Sequence, residues 1–235
     1  ILTQDDVGKV SLLKFTMALF GTLTQLALPI ASEKYISENI GSGKRNIASG
    51  VARITFKLML IATIPSLLLM ILLAQNISSF IFGTPMESLP LIIAIITACM
   101  LNFTTLYGAN MLGLGMFAEM CIQNLTYVIA GGVLAILLAW LGYGINGIVA
   151  GWLIGGVFCI FVTVILIKGR LSSQSTNFPV RTILSYSYPV YIYAIITLLQ
   201  GWIDVVILYG VTNDLSITGI YYLALGGATI LSIFW

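Results

Sequence analysis

Runs of about 20 mostly apolar residues recur along this chain, and 20 helical residues are what a crossing of the bilayer's hydrocarbon core requires. Seven runs of this kind predict seven transmembrane helices. They extend from about Gly8 to Ala31, Ile54 to Gln75, Leu89 to Leu112 and Cys121 to Leu141. The rest run from Ile145 to Ile167, from Ile183 to Tyr209, and from near Gly219 to the chain end. Lys9 and Lys14 interrupt the opening turns of the first. Only Gly142-Tyr143-Gly144 separates the fourth from the fifth, which forces an antiparallel hairpin. A soluble domain is nearer a quarter charged, because water must wet its surface. Here 8% of 235 residues are charged, 59% are hydrophobic and the mean hydropathy is +1.07, so lipid must be the main solvent. The expected fold is all-α, a polytopic transmembrane helical bundle.

Alternating the connections between two faces separates the charges. The stretch from Ser32 to Arg53 holds Lys34, Lys44, Arg45 and Arg53 against Glu33 and Glu38. On the same face, Lys168, Arg170 and Arg181 bring no acid with them. The opposite face has Asp5, Asp6, Glu87 and Asp214. Under the positive-inside rule, the basic loops 32–53 and 168–181 are cytoplasmic. Asn76 to Gly83, on the other face, reads as a short amphipathic elbow at headgroup level. The sequon Asn76-Ile77-Ser78 lies too near the bilayer for glycosylation to be expected.

Asp6-Val7-Gly8-Lys9-Val10-Ser11-Leu12 resembles Ile217-Thr218-Gly219-Ile220-Tyr221-Tyr222-Leu223. In each, a short polar loop leads to a glycine that opens an apolar helix. The glycines stand 211 residues and six helix starts apart, so both helices enter from the same face. That pattern predicts two parallel half-molecules, a 6+6 type repeat about an axis along the membrane normal. Residues 1–170 would then be an N-terminal lobe lacking its first helix. Residues 171–182 would be a cytoplasmic linker and 183–235 the start of a second lobe. The chain opens Ile1-Leu2-Thr3 and ends at Trp235 inside an apolar run, so it is expected to be part of a longer protein.

Ionisable residues inside a bilayer are expensive unless they face protein or water. Asp204 is the only acid deep in a predicted helix, with Gln200 one turn before it on the same face. It is read either as a cation, proton or sugar-hydroxyl contact or as a helix–helix bond, with Lys14 one possible partner. Lys14 either snorkels outward or points into a cavity and attracts a phosphate. Arg53 and Lys57 suffice as anchors at the inner end of the second helix. Asn102, Thr104 or Thr105, Tyr107 and Asn110 form a polar stripe on the third helix, and Gln123, Asn124 and Thr126 open the fourth. Amides and hydroxyls suit sugar hydroxyls and interhelical hydrogen bonds alike. The candidate cavity set is therefore Lys14, Asn102, Asn110, Gln123, Asn124, Gln200 and Asp204. Gly147, Gly151 and Gly155 have the spacing of a close helix contact, and Pro29, Pro65 and Pro189 are expected to kink their helices.

Several classes fall away. Cys99, Cys121 and Cys159 lie in apolar runs, and the chain has no histidine, which excludes histidine-based catalysis and the common zinc sites. No phosphate loop, nucleophile elbow or dinucleotide fingerprint occurs, so neither an enzyme nor a cofactor is expected. The basic residues lack aromatic interleaving, which leaves nucleic-acid binding unsupported.

Leu2-Thr3-Gln4-Asp5-Asp6-Val7-Gly8 resembles the segment after the first helix of the polysaccharide-biosynthesis flippases. These are lipid-linked oligosaccharide exporters of the multidrug/oligosaccharidyl-lipid/polysaccharide (MOP) superfamily. Ala31 to Glu38 with Gly43-Lys44 resembles their basic first inner loop, and Gly142 to Gly147 their turn between the fourth and fifth crossings. Ser185-Tyr186-Ser187-Tyr188-Pro189, Trp202-Ile203-Asp204 and Thr218-Gly219-Ile220-Tyr221 resemble the opening of their second lobe. The resemblance implies a two-lobed transporter of twelve to fourteen helices in the cytoplasmic membrane. Such a protein moves a polyprenyl-linked sugar by alternating access and works with glycosyltransferases or a polymerase of the same pathway. In that family, basic cavity residues hold the (pyro)phosphate, a role that maps onto Lys14 ahead of Arg53. The family's larger set of cavity arginines is not evident. Two other functions stay open: a cation-coupled drug or metabolite antiporter using Asp204, and a non-transporting scaffold for glycan assembly.

Overall fold

Apolar side chains spaced for helices, with few breakers among them, give a chain of helices. The computed structural model describes residues 2–171 and 176–231, and no strand occurs among them. The helices are α1 (Gln4–Gln25), α2 (Leu28–Gly41), α3 (Arg45–Leu72), α4 (Ala74–Phe82) and α5 (Ser88–Gly113). After them come α6 (Phe117–Leu138), α7 (Gly144–Ile167), α8 (Val180–Thr212) and α9 (Leu215–Leu231). Residues 172–175 of the expected linker and 232–235 of the last apolar run lie outside the described residues.

The first expected helix is broken. Pro29, in the first turn of α2, has no N–H to offer the Gln25 carbonyl one turn back. At this point Leu26 and Ala27 take left-handed φ of 51° and 52°, and α2 leaves α1 at 48°. Two non-glycine residues in that region cost roughly 1–2 kcal/mol each. The bent pair is one crossing. Lys9 bonds Glu87, Thr24 bonds Asn102 and Ser32 bonds Asn110, each pair 78 residues apart. A constant offset means that α1 and α2 run parallel to α5 along its whole length.

Among the described residues, stretch 117–167 is one of four apolar segments long enough to span, or five with the bent pair, but it folds back on itself. Ala139–Tyr143 form a wide π turn, and Gly142 and Gly144 adopt φ of 95° and 55° to reverse the chain. A Cβ on Gly151 would overlap the backbone of Ala135, and one on Gly155 that of Gly131. Four residues forward on α7 match four residues back on α6, so the legs are antiparallel with their backbones in contact.

The basic stretch 32–53 is not the loop expected from its polarity. Only Ser42–Lys44 is non-helical, because α2 and α3 continue past the apolar runs. They are held there by a small core of Ile36, Ala48, Val51 and Ala52. The elbow is α4, with Ala74, Ser78 and Phe82 buried and Phe80 outward.

α1 and α9 begin side by side on the acidic face. Thr3 and Asp6 cap α1 reciprocally, Asp214 accepts from the N–H groups of Ser216 and Ile217, and the Ser216 hydroxyl donates to Gln4 at 2.8 Å. A Cβ on Gly8 would overlap the Leu215 carbonyl, and one on Gly219 the Gln4 carbonyl. Residue 8 meets 215 and residue 219 meets 4, which is the reciprocal pattern of a two-fold contact shifted by the same 211 residues.

Gly155→Leu is expected to lower the thermal unfolding midpoint of the detergent-solubilised protein, reflecting about 1–3 kcal/mol of overpacking. Gly132→Ala, where a Cβ meets open space, is the control and should leave it unchanged.

Candidate functional site

One face of α1 carries Lys14, Ala18, Gly21, Thr22 and Gln25, residues spaced to line a single groove. Together with Leu101 and Asn102 of α5 and Trp202 of α8 they enclose a crevice of about 380 Å³. Trp202 also borders a second crevice of about 400 Å³ between the α1–α2 break and α8, lined by Thr22, Ile30, Tyr193 and Thr197. Between the two lies the end of α1, whose last carbonyls have no helical partner. The Tyr191 hydroxyl reaches one of them, the carbonyl of Leu23, at 3.3 Å.

Lys14 is the cation of this region. Its ammonium lies 5.6 Å from the centroid of the Trp152 ring and 5.7 Å from that of Tyr222. Among the described residues no carboxylate pairs with it. Lys9, five residues earlier, is by contrast neutralised by Glu87 at 2.6 Å. Ring faces attract an ammonium but carry no net charge, so they do not pair the Lys14 cation as a carboxylate would.

The other candidate residues separate into distinct environments. Asn102 borders the crevice, and its amide donates to the Thr24 hydroxyl at 2.7 Å and toward the Gly21 carbonyl at 3.4 Å. Asn110 is buried nearer the basic face, where it accepts from Ser32 at 2.7 Å while Ser32 also meets Thr55. Gln123 is buried too; it donates to the Thr104 carbonyl and so ties α6 to α5. Asn124 is exposed and bonds only Met120 of its own helix. Gln200 and Asp204 are exposed on α8, and Asp204 accepts from the Tyr221 hydroxyl of α9 at 3.3 Å. Seven residues separate Asp204 from Thr197, which puts it on the helix face that borders the second crevice. Lys14 and Asp204 are not bonded to each other.

Sequence reasoning did not find Gln25, Thr22, Trp152, Trp202 and Tyr222 as parts of this region. Aromatic residues inside apolar runs read as lipid-facing or core, and nothing local marks the ones that meet a lysine.

The family model for "Polysaccharide biosynthesis protein" matches residues 1–235. The chain belongs to that family. Among solved structures, the chain resembles one described as the inward-facing conformation of a multidrug resistance MATE family transporter of the MOP superfamily. The match has a TM-score of 0.71 at 20% identity and covers 97% of this chain and 55% of that one. The chain thus spans about half the length of that transporter and shares its fold. Among curated proteins, none matches.

Ser32→Ala would strip the buried Asn110 oxygen of its donor, beside an Asn110 amide nitrogen that already has no hydrogen-bond partner. The expected loss is about 1–3 kcal/mol, read as a lower unfolding midpoint. Asn124→Ala, at an exposed site, should stay within about 0.5 kcal/mol.

Proposed function

We propose that this protein is part of a transporter that carries a polyprenyl-(pyro)phosphate-linked oligosaccharide across the cytoplasmic membrane for surface polysaccharide synthesis. The observation that carries the reading is the Lys14 ammonium, beside an open crevice and with no carboxylate partner among the described residues. A cation without a carboxylate partner favours an anionic ligand, and a phosphate supplies it. The surrounding Thr22, Gln25 and Asn102 are uncharged polar groups of the kind that hydrogen-bond sugar hydroxyls. Membership of a polysaccharide biosynthesis family supports a glycan cargo, and the fold shared with a MOP-superfamily transporter supports transport as the activity.

In this reading residues 1–170 belong to one lobe, 171–182 link the lobes on the cytoplasmic side, and 183–235 open the second. The basic face is cytoplasmic, and the contact of α1 with α9 at Gly8 and Gly219 closes the outer side. The head group enters the crevice from the cytoplasm while its lipid tail stays in the bilayer. Glycosyltransferases or a polymerase of the pathway supply and consume the cargo.

Asp204 favours a second reading, a cation-coupled antiporter, since its carboxylate lies within an apolar helix long enough to span and, among the described residues, is met only by the Tyr221 hydroxyl. Transport assays separate the two. In cells lacking the native exporter, Lys14→Gln should cut surface glycan by about tenfold or more with the protein still in the membrane, and Lys14→Arg should retain most of it. Asp204→Asn should then have the smaller effect. Full glycan export by Lys14→Gln, together with sodium- or proton-driven efflux of cationic dyes lost in Asp204→Asn, would decide for the antiporter.

A further inference from the structure

The basic face holds a separate cavity of about 490 Å³, to which no residue of the Lys14 crevice contributes. Leu114 on its wall comes 12 residues after Asn102, about 18 Å farther along the direction of α5 than the crevice. The apolar wall is Ala48, Leu114, Met116 and Leu171, of which Ala48 and Met116 are buried. The charged wall is Arg45, from the first turn of α3, and Arg170, three residues past the end of α7. The chain that leaves α7 is laid against α3 here. Leu171 packs on the core of Ile36, Ala48, Val51 and Ala52, and the Thr176 N–H donates to the Asn46 carbonyl at 3.1 Å. Gly50 leaves room for the Thr176 carbonyl, which a Cβ would overlap. Two guanidinium groups 125 residues apart in sequence are thereby brought to one cavity.

Anchoring a helix at the membrane surface asks only that a basic residue stand near its end. Convergence on a half-apolar cavity asks for more. Among the described residues Arg45 meets no carboxylate, and Arg170 meets only Glu119, at 3.7 Å with its side chain still 58% exposed. Leu114 and Met116 lie between two apolar helices, and Arg170 and Leu171 closely follow a third. Phe117, 65% exposed, opens α6 beside them. The ends of apolar spans lie at headgroup depth, where aromatic residues also collect. We propose that this cavity binds the phosphate of an anionic phospholipid, held by Arg45 and Arg170, with the apolar wall against the glycerol and first acyl carbons. A guanidinium fork matches phosphate oxygens, and basic pockets between helices at this depth accept anionic head groups. No aromatic residue is among those that line the cavity, so a nucleotide base would find nothing to stack on. A lipid bound there bridges the start of α3 to the chain leaving α7. The inference stands apart from any role of Lys14.

The test is displacement of a fluorescent phosphatidylglycerol from the full-length protein in detergent. The competitors are unlabelled phosphatidylglycerol, phosphatidylcholine and inorganic phosphate. Phosphatidylglycerol should displace the probe, phosphatidylcholine about tenfold less well, and inorganic phosphate not at all at matched concentration. Arg45→Gln and Arg170→Gln should each weaken probe binding about tenfold, the loss of a charge-assisted contact. Both side chains are exposed, so neither change removes a packed group. Arg53→Gln, an exposed arginine two turns farther along α3 and outside the cavity wall, should bind as the parent does, and so should Lys14→Gln. Glu119→Gln, which frees Arg170, should bind at least as tightly. A purely structural ion pair would instead make Glu119→Gln and Arg170→Gln alike. Equal displacement by phosphatidylcholine, or an equal loss in Arg53→Gln, would overturn the site. Inorganic phosphate that displaces the probe as well as the lipid does, through both arginines, would overturn the lipid and leave a soluble anion as the ligand. Loss of binding in Lys14→Gln would overturn the separation from the crevice.

Discussion

Helices surrounded by hydrocarbon gain nothing from hiding apolar side chains against one another, because lipid tails serve as well. They are held by the close approach of backbones and by polar groups that find each other. In this protein the close approaches are made at glycines. Gly151 and Gly155 press α7 onto α6, Gly113 lets α5 approach Glu33 and Ile36 of α2, and Gly8 and Gly219 bring α1 against α9. A methyl group at any of these would overlap a neighbouring backbone or side chain. The hairpin, the course of the broken helix and the meeting of the chain's two ends all follow from where a side chain is missing.

The polar side chains divide by what they meet. Ser32, Thr55 and Asn110 bond among themselves, as do Thr24 and Asn102, and Gln123 ties α6 to α5. Each of these groups is held in place by a bond to another helix, although the Asn110 amide nitrogen and the Gln123 amide oxygen stay without a partner. Lys14 has no such bond among the described residues, and it faces two rings and an open crevice. What sets Lys14 apart from those groups is a charge that meets no carboxylate among the described residues.

The break between α1 and α2 sets the space around that charge. A continuous helix would bond the Thr22 to Gln25 carbonyls internally and keep one direction throughout. Pro29 withdraws one donor, Leu26 and Ala27 turn left-handed, and the carbonyl end of α1 is left facing α8. Tyr191 meets one of those carbonyls from α8, and the two crevices open on either side. Strain at two residues thus stands beside the candidate site.

Much of the architecture was legible in the chain because it depends on one-dimensional quantities. Apolar run length located the crossings, and the Gly142-Tyr143-Gly144 interval was too short for anything but a hairpin. The 211-residue echo of Gly8 in Gly219 placed two helix starts on one face, and the fold brings those two glycines together. Counting apolar residues stopped α2 too early and started α3 too late, since a helix continues wherever one face finds a core, as Ile36 does with Val51. It also joined α1 to α2, because a proline in an apolar run signals a bend without its size.

Only the tertiary structure decided which polar residues were already bonded. Asn102 and Asn110 share one helix and one chemistry, yet Asn102 borders the crevice and Asn110 is locked to Ser32. Likewise, Trp152 and Tyr222 are ordinary apolar-run aromatics until α7 and α9 carry them to Lys14. Hydropathy is a property of residues in order and survives in the sequence. A charge's lack of a partner depends on every helix around it, and exists only once they are packed.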